Sequence, residues 1–94
     1  MNNRLLLFLK ECGVEASVIN EIYTANPQMF EGNNAEIVQN IKIVIGYGFP
    51  DFEIGELLLL NPNFVFNKKQ DLEERLKMID KNVYVALMEN PNLI

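Results

Sequence analysis

The side chains able to do chemistry are few, and they lie scattered along 94 residues. Cys12 is the single thiol and there is no histidine. The commonest general base and metal ligand is therefore missing, and a thiolate nucleophile would have no imidazole partner. Cys12 reads as a buried structural side chain near a helix end. Carboxylates recur in pairs, Asp51 with Glu53 and Glu73 with Glu74. Acid–base or metal chemistry would need a further ligand or a pocket beside them, and both pairs read as solvated helix faces. No Gly-rich phosphate loop, nucleophile elbow or Cys-x-x-Cys occurs. The expectation is a non-enzymatic chain with no cofactor, no metal site and no small-molecule substrate.

The remaining constellation is basic. Lys68, Lys69, Arg75, Lys77 and Lys81 crowd into residues 67–82, interleaved with Asp71, Glu73, Glu74 and Asp80. On a helix, Asp71 precedes Arg75 and Glu73 precedes Lys77 by four positions, the favourable order for ion pairs. That reads as an exposed helix laced with salt bridges. The competing expectation is a phosphate-contacting patch of Lys42, Lys68, Lys69, Arg75 and Lys77. Against it, the chain carries 8 basic and 13 acidic residues, a net charge of −5, whereas nucleic-acid binders usually show a basic footprint.

These side chains must be positioned by helices. Asn-Pro occurs at Asn26-Pro27, Asn61-Pro62 and Asn90-Pro91, each time followed by apolar residues: Met29 and Phe30, Phe64 and Val65, Leu93 and Ile94. The first two copies lie 35 residues apart, and the match extends upstream at that offset. Cys12-Gly13-Val14 falls on Tyr47-Gly48-Phe49, Ile19 on Ile54, Glu21 on Glu56, and Leu6, Phe8 and Leu9 on Ile41, Ile43 and Val44. Such self-similarity is the mark of a repeat architecture. The third copy is compressed, with 29 residues between Pro62 and Pro91, and Asp80-Lys81-Asn82 replaces its glycine.

Each copy reads as helix, tight turn, helix and a short 3-10 turn at Asn-Pro. Gly13 and Gly48 sit where a helix ends with positive φ. The residue before proline is driven out of the α region, so the second and fourth helices should stop near Ala25 and Leu60. Asn33 with Glu36, and Asn67 with Gln70, have capping-box spacing. Ile41-Lys42-Ile43-Val44-Ile45 is locally β-prone, and only the repeat register argues for helix there. The expected fold is all-α: about six helices in two to three tandem helix-turn-helix repeats (about 3–30, 34–65 and a short 68–94). They would form one domain over 1–94, a right-handed or compact superhelical stack.

Leu57-Leu58-Leu59-Leu60 makes the fourth helix apolar all round, as befits the middle of a stack. The first helix is also apolar beyond one face, through Leu6 and Leu7. A terminal repeat should be polar outside, so these two call for a fold that wraps back over them, a second copy, or another partner. Tyr47, Phe49 and Phe52 cluster at the second inter-helix turn as core and turn-packing groups. With Leu6 and Leu7 they also make up the candidate protein-interaction residues.

The pattern Leu9-Lys10-Glu11-Cys12-Gly13-Val14 through Asn26-Pro27-Gln28-Met29-Phe30 resembles a repeat of the mitochondrial transcription termination factor family. Val44 to Phe49, continued by Asn61-Pro62-Asn63-Phe64-Val65, resembles a second. The resemblance implies stacked pairs of helices closed by 3-10 turns, and in that family a basic concave groove holds nucleic acid. Residues 1–66 here hold Arg4, Lys10 and Lys42 against eight acidic side chains, so a protein partner or homodimer is expected ahead of nucleic acid. Gly48-Phe49-Pro50 also resembles the loop of small ubiquitin-associated domains, which bind partners through it. One cysteine excludes an internal disulfide, in keeping with a reducing cytoplasm. Leu5–Leu9 is too short for a signal sequence, and no stretch approaches the roughly 20 apolar residues of a membrane span. A cytoplasmic protein without membrane contact is expected.

Overall fold

The computed structural model describes residues 3–94. Among them, six α-helices alternate with 3-10 turns and there is no strand. The helices are α1 (Arg4–Glu11), α2 (Ala16–Ala25), α3 (Ala35–Gly46), α4 (Ile54–Leu60), α5 (Lys69–Lys77) and α6 (Val83–Glu89). The 3-10 turns are Pro27–Phe30, Asp51–Glu53, Pro62–Phe66 and Pro91–Leu93. The β-branched run 41–45 is helical within α3. There Ile37, Ile41 and Val44 recur at helical spacing and are buried, and that packing outweighs the modest helix cost of β-branching.

The turns inside the first two pairs are alike. Gly13 and Gly48 take φ of 88° and 113°. The Gly13 N–H donates to the Lys10 carbonyl and the Val14 N–H to that of Leu9; Gly48 and Phe49 do the same to Ile45 and Val44. This is a Schellman closure, in which the residue after the glycine packs back on the helix it ends. Phe49 fills that slot and is 1% exposed.

Each Asn-Pro junction also repeats. Asn26, Asn61 and Asn90 have φ/ψ of −141/67, −149/83 and −145/88. In each, the Asn N–H still bonds four residues back, to Ile22, Leu57 or Ala86, before the proline turns the chain into the 3-10 segment. α2 and α4 thus end at Ala25 and Leu60 as read from the sequence.

The third residue after each proline offers a carbonyl that a side chain of the same repeat's first-helix segment captures. Asn3 Nδ2 donates to the Phe30 carbonyl at 2.8 Å, Asn40 Nδ2 to that of Val65 at 3.0 Å, and Arg75 Nη1 to the main-chain oxygen of Ile94 at 2.9 Å. Three repeats therefore lock their ends in one way, two with an asparagine and the third with an arginine.

The first helices pack in a row, α1 on α3 and α3 on α5, and α2 packs on α4 in a second layer. Leu5, Leu9, Val44, Leu72 and Leu76 of the first helices share one buried core with Ile22, Ile54, Leu57 and Leu58 of the second helices and with Phe64. Each such burial contributes about 1.5–3 kcal/mol relative to exposure. The body measures 40 × 24 × 21 Å with a radius of gyration of 12.4 Å, compact for its length but drawn out along the stacking direction. The main neighbours of α1 are α2 and α3, and the stack does not wrap back over it.

Three expectations need correction. Leu60 is 53% exposed although Leu57 and Leu58 are fully buried, because α4 ends there against the Asn61 junction. Neither capping box forms. Asn33 Oδ1 accepts from the Ala35 N–H, two residues on, and Asn67 Nδ2 reaches the main-chain oxygen of Ile94. Among the described residues the single ion pair is Lys81–Glu89 at 2.9 Å, so α5 is not laced by Asp71–Arg75 and Glu73–Lys77.

Candidate functional site

A groove of about 770 Å³ opens at the N-terminal end of the stack. Leu6 and Lys10 of α1 form one wall, Ile19, Asn20 and Tyr23 of α2 the other, and Pro27, Phe30 and Glu31 close one end. Tyr23 is 53% exposed, and its ring lies 5.5 Å from that of Phe30 at a tilt of 57°. Asn3 fixes the groove's geometry. Its amide holds the Phe30 carbonyl, while its Oδ1 accepts from the Leu6 N–H and from Asn34 Nδ2. Buried Asn34 in turn accepts from the Leu5 N–H at 3.2 Å. This network fastens the start of α1 to the first 3-10 turn and to the start of α3.

The candidate interaction residues do not share one surface. Leu6 lines the groove. Leu7, one position on, faces outward in a separate shallow depression with Arg4, Phe8, Glu11 and Lys42. Tyr47 is half-buried and Phe52 is 66% exposed on the 3-10 turn Asp51–Glu53. Phe49 has to be withdrawn from the candidate face: its Schellman position buries it, edge-on to Tyr84 at 5.3 Å. Exposed Tyr23 and partly buried Phe30, neither of them among the candidate interaction residues, supply the apolar surface of the groove instead. The 35-residue register carried the signal, because it aligns them with Leu58 and Val65, two core positions of the next repeat.

The candidate phosphate-contacting cations sit with the first helices. Lys42 is on α3, Lys69, Arg75 and Lys77 are on α5, and Lys68 immediately precedes it. α2, α4 and α6 carry Glu21, Glu56 and Glu89 and no cation. Two of the candidate phosphate contacts are engaged within the fold. Arg75 holds the main-chain oxygen of Ile94, and Lys42 lies 5.6 Å over the Phe8 ring, a cation–π contact. Lys68, Lys69 and Lys77 are exposed.

Cys12 is buried, and that burial pushes its thiol above the usual range, with Asp51 and Glu11 adding to the effect and Lys42 opposing it. The neutral thiol is therefore favoured, the opposite of an activated nucleophile. Among the described residues no three Cys, Asp or Glu side chains gather as metal ligands, and no helix is long and apolar enough to cross a membrane. No protein-family model, no curated protein and no solved structure matches the chain.

Proposed function

We propose that this chain is a non-enzymatic helical-repeat module that docks a protein through the groove at the N-terminal end of its stack. The supporting observation is exposed Tyr23 against partly buried Phe30 in the N-terminal groove, rimmed by polar Lys10, Asn20 and Glu31. An apolar centre carrying aromatic anchors inside a polar rim is the anatomy of a protein interface. The likeness of the Asn-Pro closures to termination-factor repeats fits such a scaffold, since stacked helix pairs bind through the surfaces that stacking leaves open.

Nucleic acid suits this surface less well, because Lys10, the one cation among the described residues that line the groove, is matched by Glu31 and base stacking calls for aromatics among cations. A photoreactive residue in place of Tyr23, irradiated in the producing cell, tests the proposal. A discrete protein adduct is expected; a nucleic-acid adduct, or none, overturns it.

A further inference from the structure

The N-terminal groove has a counterpart inside the molecule. Shifted by the 35-residue register, its residues Leu6, Ile19, Asn20, Tyr23 and Phe30 become Ile41, Ile54, Gly55, Leu58 and Val65. All five of these are buried in the second repeat. Part of what covers them is the first repeat: a Cβ placed on Gly55 would lie 3.0 Å from a methyl of Val14 and 3.0 Å from one of Val18. The groove is thus the surface on which each repeat receives the preceding one. Its fitted occupant is a helix pair like those of this chain.

The opposite end of the stack is finished differently. There Arg75 binds the main-chain oxygen of Ile94, and Lys81 pairs with Glu89 across the mouth of the smaller groove between α5 and α6. Head-to-tail stacking would desolvate that ion pair, a cost often exceeding the Coulomb gain. The N-terminal groove can instead meet its own image. Glu31 follows Phe30, whose carbonyl is held by Asn3 at the start of α1, whereas Lys10 lies in the last turn of that helix. Seven residues of helix put the two charges at opposite ends of the groove, about 10 Å apart along α1. A two-fold axis through the groove exchanges its ends and sets Lys10 of each copy against Glu31 of the other, the self-complementarity an isologous contact requires.

We infer that the chain forms a head-to-head dimer, with the groove of one copy covering that of a second through Leu6, Tyr23 and Phe30 and two reciprocal Lys10–Glu31 pairs. This inference rests on the groove being a protein-docking surface and names its occupant.

Sedimentation equilibrium of the full chain from micromolar to millimolar concentration tests it. The natural sequence should show a reversible monomer–dimer equilibrium. Lys10→Glu alone and Glu31→Lys alone each oppose like charges twice, and should weaken dimerisation on the order of tenfold or more. An equimolar mixture of the two variants restores opposite charges at both contacts, Glu at position 10 facing Lys at position 31 in one and Lys10 facing Glu31 in the other, so the mixture should recover the dimer. Tyr23→Asp, whose helical signal in circular dichroism should match the natural chain, should be monomeric.

A natural chain that stays monomeric, one that grows into open-ended polymers, or a mixture no tighter than its components overturns the inference. Failure of the dimer is distinguishable from failure of the docking surface. A monomeric chain that still yields an adduct with a different protein at Tyr23 overturns the dimer alone, whereas no adduct at Tyr23 overturns both.

Discussion

The Asn40 side-chain amide donates to the Val65 carbonyl at 3.0 Å, joining α3 to the 3-10 turn that closes its own repeat. The same nitrogen donates to the Asn67 carbonyl at 2.8 Å, and Asn40 is only 3% exposed. One buried amide thus satisfies two main-chain oxygens that no helix supplies with a partner, at the point where the chain leaves the second repeat for the third.

Removing it leaves those oxygens without their side-chain donor. Asn40→Ala should destabilise the fold by about 2–3 kcal/mol, measured by urea unfolding. Asn61→Ala should cost about 1–2 kcal/mol, because Asn61 Nδ2 donates to the Pro91 carbonyl at 2.7 Å and ties the second repeat to the third. Asn26→Ala should cost less than about 0.5 kcal/mol, since the only side-chain partner of Asn26 among the described residues is exposed Gln28. Equal losses at Asn26 and Asn61 would contradict this division of labour.

Those asparagines mark the boundary of what the sequence discloses. The Asn-Pro pairs predict the ends of α2 and α4 because proline acts on its immediate neighbour, a local steric effect. Gly13 and Gly48 are equally legible, since only the backbone of one residue is involved. Hydrogen bonds made by Asn33, Asn40 and Asn67 are not. Asn33 and Asn67 have the spacing of a helix cap, yet one bonds two residues ahead and the other reaches Ile94 across the fold. Spacing cannot separate a local acceptor from a distant one. The groove is half-legible: excess apolar residues in α1 point to Leu6, but also to Leu7, which the helical rotation carries to another surface.

Within the second layer, α2 and α4 meet closely at Gly55. A methyl group there would press on both Val14 and Val18 at 3.0 Å, so Gly55→Ala should destabilise by about 1 kcal/mol through overpacking, despite alanine's better helix propensity. Gly46, in the last turn of α3, is exposed, has no positive φ, and has no atom within 4 Å of the place a methyl group would occupy. Gly46→Ala should therefore stabilise by about 0.5–1 kcal/mol. Thermal melts of both variants should move in opposite directions, and a shift of the same sign would count against the stacked arrangement of α2 and α4.

Lys68 and Lys69 are the exposed cations best placed to meet phosphate, immediately ahead of and at the start of α5. Fluorescence anisotropy at low salt, with labelled single- and double-stranded RNA and DNA, should show no saturable binding. Lys68→Ala/Lys69→Ala should change nothing. Binding that weakens in this variant and loses part of its salt dependence would establish a phosphate-contacting surface and favour the nucleic-acid reading over protein docking.

On the proposed reading, protein docks at the N-terminal groove and not elsewhere on the stack. A photocrosslinking comparison of three exposed positions tests it most directly: Tyr23 in the groove, Phe52 at the second inter-helix turn and Met78 at the opposite end, which are 53%, 66% and 84% exposed. Tyr23 should give a discrete protein adduct, lost when Leu6→Asp is added, with little from Phe52 or Met78. Adducts from Phe52 or Met78 with none from Tyr23 would contradict it.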